Sequence, residues 1–222
     1  MKKVLNGFLF GMLIIVISAC TGNNNEVNEV TQQTKLLTSP APETEAVRDL
    51  DVIYFAGGCF WGVEEFFSKM PGVVDVTSGY ANGTGDNPTY EEVMSGELGF
   101  VETVEVQYDP DEVDLTTLIT YYFKAIDPTL LNQQGNDIGV QYRTGIYYVN
   151  DDDARLIDTL LTAEREKYDQ AVVTEVLPLT NYFLAEEYHQ DFLMKNPNAY
   201  CHIDMSILDD LNSLVDPSLY TR

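Results

Sequence analysis

Apolar and polar positions divide the chain into three stretches. Residues 8–17 are apolar apart from Gly11 and follow Lys2 and Lys3. From Thr21 to about Asp49 large apolar residues are few, and Asn23-Asn24-Asn25, Thr31-Gln32-Gln33-Thr34 and Ser39-Pro40-Ala41-Pro42 set the tone. Periodic patterns begin at Val52. The apolar run 52–56 predicts a strand, and Phe60, Val63, Phe66 and Phe67, spaced by three or four, predict a helix over 60–69 that Met70-Pro71-Gly72 ends. In 73–80, Val74, Val76 and Ser78 alternate with Asp75, Thr77 and Gly79, which predicts a second strand.

The pattern continues in shorter pieces. Residues 81–88 form a Gly- and Asn-rich loop, after which Thr89 predicts the cap of a short helix over 90–95, with Glu92 placed as in a capping box. Residues 103–108 alternate as a strand, and Asp114 caps a helix over 115–125. A long loop, 127–142, follows; loops of that length inside a domain are usually functional. Further expectations are a strand over 143–150, a helix opened by Asp151–Asp153 and running to 169, and a strand over 172–177. A helix over 186–195 ends at Asn196-Pro197, and 207–215 forms a weak helical patch. Helices and strands alternate irregularly, so the expected class is α+β with a mixed sheet.

The first stretch changes the picture of where this domain works. A basic start, a short apolar run and Ile17-Ser18-Ala19 before Cys20 make residues 1–19 a secretory signal of lipoprotein type, with Cys20 as the lipidated N-terminus. The apolar run is shorter than the roughly 20 residues of a spanning helix, the feature an uncleaved anchor needs. Several acyl chains would hold Cys20 stably at a membrane, since one chain alone binds marginally. Residues 20–50 then form a tether too polar to offset its own ordering entropy, and 51–222 form the folded domain. The expected location is outside the cytoplasm of a bacterium, on the periplasmic or cell-surface side.

Charge narrows the partners. The chain carries 12 basic and 36 acidic residues, a net of −24, and loss of Lys2 and Lys3 with the signal leaves 10 against 36, or −26. Such a surface argues against nucleic acid and against adsorption to anionic headgroups. Lipidation of Cys20 leaves two cysteines, Cys59 and Cys201, and two histidines, His189 and His202, at no ligand-like spacing, so no zinc site is expected.

Cys59 carries the clearest chemistry. It stands in Gly57-Gly58-Cys59-Phe60-Trp61-Gly62, at a strand-to-helix corner. Backbone N–H groups and the helix dipole favour an anion there, which predicts a thiolate with its pKa lowered from about 8.5 towards neutral. Phe60 and Trp61 are placed to wall a small apolar pocket. The bland reading is a buried core thiol, because free Cys is among the most buried residue types. In an exported domain Cys59 and Cys201 are equally a structural disulfide or a redox couple, on residue type alone.

Other segments join this one. They are Asn87-Pro88-Thr89-Tyr90-Glu91-Glu92-Val93, the strand Val101-Glu102-Thr103-Val104-Glu105, Asp127-Pro128-Thr129, Gln134-Gly135-Asn136-Asp137-Ile138-Gly139-Val140-Gln141-Tyr142-Arg143, Glu187-Tyr188-His189-Gln190, and Asn196-Pro197-Asn198-Ala199-Tyr200-Cys201. With Gly58-Cys59-Phe60-Trp61-Gly62 they resemble, in order and spacing from about Val52 to Asp204, the peptide methionine sulfoxide reductases of A type.

The resemblance implies a two-layer α/β sandwich around a ferredoxin-like core. It implies a nucleophile at Cys59, a methyl-receiving pocket at Phe60 and Trp61, and an acid at Glu102. Tyr90, Asp137 and Tyr142 would complete the oxygen site, and Cys201 would recycle Cys59. The implied reaction is reduction of methionine-S-sulfoxide, protein-bound or free, through a Cys59 sulfenic acid and a Cys59–Cys201 disulfide. An external thioredoxin-like dithiol would reset the pair, with no bound cofactor or metal. The expected substrates are oxidised exported proteins, and the expected state is a monomer.

General chemistry fits those roles, because a buried carboxylic acid can protonate the sulfoxide oxygen while tyrosine hydroxyls donate to it. The chain departs from the family pattern at Phe100-Val101, where His-Ala is usual, at Ile126 for His, at Asn82-Gly83 for Gly-Gly, and at Ala199 for Gly. Phe100 shares a strand face with Glu102 and is expected to make its site more apolar. His189 is expected to be structural and His202 to lie at the surface. Two other readings use the same cysteines: a thiol peroxidase or disulfide exchanger, and a non-enzymatic lipoprotein with a fixed disulfide.

Overall fold

The computed structural model describes residues 49–213, so the expected signal and most of the expected tether lie outside the described residues. Six strands form one mixed sheet. Four of them, β1 (Asp51–Gly57), β2 (Val73–Ala81), β3 (Val101–Tyr108) and β6 (Thr144–Tyr148), are antiparallel to their neighbours in the order β6-β1-β3-β2. Helix α1 (Phe60–Ser68) joins β1 to β2, and α3 (Leu115–Ala125) lies between β3 and β6. This is the ferredoxin-like core. Strand β7 (Glu175–Pro178) extends it in parallel beside β6, after helix α4 (Asp151–Arg165). Strand β8 (Tyr182–Leu184) extends the other edge, antiparallel to β2.

Period-two alternation decides the faces. Ile53 and Phe55 of β1 point to the helices, with Phe55 stacked between Phe67 of α1 and Tyr122 of α3 at centroid distances of 4.5 and 5.0 Å. Val104 and Val106 of β3 share that face, and Ile157 and Leu161 of α4 close it. On the other face, Tyr54, Ala56, Val101 and Tyr147 form a small cluster that Leu179 and Tyr182 cover. Helices on one face of one sheet give the two-layer α+β arrangement.

Local chemistry sets the shorter elements. Helix α2 (Tyr90–Met94) opens with the expected capping box, in which the Thr89 hydroxyl accepts from Glu92 N–H and the Glu92 carboxylate accepts from Thr89 N–H. Asp114 caps α3 through Thr117 N–H. The expected helix to 169 stops at Arg165, and the expected strands of 143–150 and 172–177 are shorter or shifted. Within the loop 127–142, β4 (Gln133–Gln134) and β5 (Asp137–Ile138) make a hairpin over Gly135, followed by a single 3-10 turn, Val140–Tyr142.

The expected helix over 186–195 is wrong for its first half. Glu186 is irregular, residues 187–191 are turns, and only α5 (Phe192–Lys195) is helical. Tertiary hydrogen bonds outweigh the local helical pattern here. The Gln190 amide accepts from Ser78 N–H and donates to Ser78 O, so a side chain bonds the edge of β2 as a strand would. The Glu186 carboxylate accepts from Tyr90 N–H and Tyr80 OH, and Asp191 takes a left-handed φ of 52°. After it, the 3-10 turn Met205–Leu208 and helix α6 (Asp209–Ser213) follow Cys201, with Ile203 and Leu208 in the core. The expected patch extends two residues past this, outside the described residues.

Candidate active site

Cys59 is the N-cap residue of α1, directly after Gly58, whose φ of +85° permits the turn out of β1. A side chain at Gly58 would also meet Gln134 Cβ at 2.5 Å. Gln134 is fixed there because its amide donates to Asp127 O and accepts from Asp127 N–H, which ties the β4–β5 hairpin to the corner that carries the thiol.

Glu102 comes from the neighbouring strand β3 and points to the same face as Val104 and Val106, towards α1. It is 2% exposed. Phe60 N–H, in the first turn of α1, donates to Glu102 Oε2 at 3.0 Å, and the Cys59 thiol is in place to donate to the same carboxyl. Burial pushes Glu102 up to about 8, despite the Phe60 N–H, and the charge of Asp137 on β5 adds to the rise. At neutral pH this carboxyl is a neutral acid. With Oε2 accepting from Phe60, Oε1 is left to carry its proton.

The expected low pKa of Cys59 is not what the site provides. Burial pushes the thiol up, the carboxylate of Glu102 pushes it further, and the Trp61 N–H at the helix start opposes only part of this. Desolvation outweighs the helix end. Resting Cys59 is therefore a thiol beside a carboxylic acid, and its ionisation must be coupled to the reaction.

Two tyrosines complete this side. Tyr90, the first residue of α2, has its hydroxyl pushed up to about 12 by burial and by Glu102, and the Tyr142 hydroxyl is placed to donate to it. Tyr142, on the 3-10 turn after the hairpin, is pushed up by burial and then by Glu102. Its hydroxyl also faces Met94 Sδ at 3.7 Å. Both phenols are thus held protonated, as donors.

The apolar wall is built by Phe60 and Trp61, and His189 packs against both. His189 is 1% exposed, and its Nδ1 accepts from Trp61 Nε1–H at 3.0 Å. Its ring packs against Phe60 at 5.0 Å and Tyr90 at 4.7 Å, and burial lowers its pKa, so it stays neutral. It contacts three site side chains at once, in keeping with the structural role expected of it. Phe192 of α5 stacks on the outer face of Trp61 at 3.7 Å. Nothing local marks Phe192 for this contact, because its partner lies far away in sequence.

Cys201 and Cys59 are both free thiols. The Sγ of Cys201 lies against Gly62 in the first turn of α1, where an added Cβ would meet it at 3.1 Å. His202, expected at the surface, is half-buried, and its Nε2 lies 2.8 Å from Gly57 O. Thus the structure gathers Cys59, Glu102, Tyr90, Tyr142, Phe60 and Trp61, brings Asp137 to the rim, and sets Cys201 beside the same helix turn. Phe100 is fully buried and packs against Phe183, one strand position outside β3. Among the described residues no three His, Cys, Asp or Glu side chains gather as a metal would need.

A thiol beside a neutral buried acid, under an aromatic wall and with a second thiol close by, defines a thiol-based oxidoreductase for a small polar group on an apolar stem. The sequence model of the peptide methionine sulfoxide reductase family matches residues 51–214. A curated relative, peptide methionine sulfoxide reductase MsrA of Clostridium acetobutylicum, is 52% identical over 156 residues, covering 70% of this chain and 96% of its own length. Two solved structures are also similar. Methionine sulfoxide reductase A of Corynebacterium diphtheriae has a TM-score of 0.66 at 38% identity, covering 68% of this chain and 77% of that one. Reduced Mxr1 of Saccharomyces cerevisiae has a TM-score of 0.65 at 34% identity, covering 69% and 89%. The chain belongs to the peptide methionine sulfoxide reductase family, A type, and is an enzyme that reduces methionine sulfoxide.

Proposed function

We propose that the enzyme reduces the S epimer of methionine sulfoxide, in exported proteins and as the free amino acid, using Cys59 as nucleophile and Glu102 as proton relay. The observation that carries this reading is the neutral Glu102 in contact with the Cys59 corner. The substrate methyl group rests on Phe60 and Trp61, while its oxygen meets Glu102, Tyr90 and Tyr142. With methyl, oxygen and attack face fixed, only one configuration at sulfur leaves the rest of the substrate pointing outward. Glu102 gives its proton to the sulfoxide oxygen and takes the proton of the Cys59 thiol, so the thiolate forms only as it attacks. The sulfur of Cys59 takes the oxygen, leaving a sulfenic acid and methionine. Asp137 biases the site towards the protonated acid.

Cys201 then attacks the sulfenic acid, expels water and forms a Cys59–Cys201 disulfide. The position of Cys201 against Gly62 supports this step. An external dithiol of thioredoxin type resets the pair by exchange. The signal of residues 1–19 and a lipid on Cys20 would hold the enzyme, by its 20–50 tether, at a membrane on the exported side.

Dithiothreitol-driven reduction of a methionine sulfoxide peptide, with its epimers separated, tests the reading. The S epimer alone should be consumed, and Cys59→Ser should consume none. Turnover of peroxide in place of sulfoxide would support the peroxidase reading, and a disulfide resistant to thioredoxin would support the scaffold reading. Cys20→Ala should free the chain from membranes; a variant that still fractionates with them would refute lipidation.

A further inference from the structure

Met94 ends α2 beside the oxygen-binding tyrosines. It is half-buried, with Gln141 Nε2 at 3.5 Å and the Tyr142 hydroxyl at 3.7 Å from its Sδ. A thioether is a weak acceptor, and two donors aimed at one sulfur are an arrangement that an oxygen on that sulfur would fit much better. Peroxide supplies such an oxygen. The sulfur of Met94 gives two electrons to hydrogen peroxide, the O–O bond breaks, and the products are Met94 sulfoxide and water.

We propose that Met94 is an oxidation site through which peroxide throttles this enzyme. The Tyr142 hydroxyl has a single hydrogen. Where Met94 remains a thioether, that hydrogen is free for Tyr90 or for a substrate oxygen. Once Met94 is a sulfoxide, its oxygen approaches the hydroxyl to an ordinary O–H···O distance of about 2.7 Å and holds the hydrogen. Gln141, which is buried, donates to the same oxygen and keeps it there. Substrate then loses one of its donors. The inference rests on the proposed role of Tyr142 as donor to the substrate oxygen.

The test uses the full chain. Both thiols are capped as mixed disulfides with methyl methanethiosulfonate, the protein is treated with hydrogen peroxide, and the caps are removed by a short dithiothreitol pulse. Single-turnover reduction is then measured at once, alongside the mass of the Met94 peptide. Loss of one donor predicts a rate lower by roughly 10²-fold, in proportion to the oxygen gained by Met94. Met94→Leu, compared with its own untreated rate, should lose nothing. Met94→Gln, whose amide oxygen mimics the sulfoxide, should be slow without any peroxide, in kcat more than in KM. The proposal is overturned if fully oxidised enzyme matches the untreated rate, or if Met94→Leu loses as much as wild type. It is equally overturned if Met94 resists peroxide that oxidises the exposed Met194. A wild type that is inactive before treatment would instead sink the functional reading, and the mass readout keeps the two failures apart.

Discussion

Replacing Glu102 by Gln keeps the shape of the side chain and removes its exchangeable acid proton. The size of the loss follows from the site. A carboxyl at its ordinary value of 4.5 would be protonated in roughly one molecule in 300 at pH 7, whereas at about 8 roughly nine in ten carry the proton. Burial thus enriches the working form by about 300-fold, equivalent to about 3 kcal/mol. A general acid of this kind is worth roughly 10²- to 10⁴-fold, so Glu102→Gln should slow single-turnover methionine release by about 10²–10³ at pH 7. The pH profile adds a second check. The wild-type rate should be level below neutral pH and fall as pH rises through about 8, because the relay needs protons on both Glu102 and Cys59. The variant has no relay and depends on free thiolate, so its rate should rise over the same range. Quenched-flow release of methionine peptide from its sulfoxide, with enzyme in excess between pH 5 and 9.5, measures both. A variant within tenfold of wild type at pH 7, or a wild-type rate that stays level to pH 9.5, would refute the reasoning.

Three further outcomes are expected. Cys201→Ser should still release one methionine per enzyme and stall as a sulfenic acid visible by mass, while thioredoxin-driven turnover collapses; unchanged steady-state turnover would show that Cys59 is reset without a disulfide. His189→Phe should raise KM about fivefold by freeing the Trp61 indole, near the worth of one hydrogen bond, with His189→Gln recovering part of it, and equal effects of both would reduce His189 to packing. Glu64 of α1 is buried, and the Ser78 hydroxyl and the N–H groups of Asp191 and Phe192 near it make no well-formed hydrogen bond, so burial pushes it up to about 7. Its raised pKa means stability that is present below its ordinary 4.5 and lost as pH rises through about 7. Glu64→Gln should therefore gain in Tm over wild type by a few °C between pH 5 and 8, and a pH-independent difference would contradict this.

Elements governed by neighbours in sequence were legible from the chain. The β1–α1 corner, the alternation of β3, and the caps at Thr89 and Asp114 all follow from local spacing, and the structure keeps them. The motifs also pointed to the residues that meet in the site. What the sequence hid was decided by residues far along the chain. Residues 186–191 have helical spacing, yet Gln190 and Glu186 find better partners on β2 and α2. The thiol of Cys59 has the helix end that lowers a pKa, yet burial beside Glu102 raises it. No local pattern could weigh those two, because Glu102, bonded to Phe60 from 42 positions away, belongs to another strand. His202 was misjudged for the same reason, since it owes its place to the Gly57 carbonyl on a distant strand.

The Trp61–His189 hydrogen bond spans 128 positions and the His202–Gly57 contact spans 145. Contacts of such separation are slow to form, because the intervening loop must close first. During synthesis the β1–α1–β2–β3 region emerges well before residues 182–203. A chain halted there has Cys59 and Glu102 but lacks the indole's anchor and the second thiol. Reactivity is therefore coupled to completion of the chain: the enzyme acquires a shaped pocket only when its last third docks. Pulsed proteolysis during refolding should show Trp61 becoming protected together with His189, later than β3.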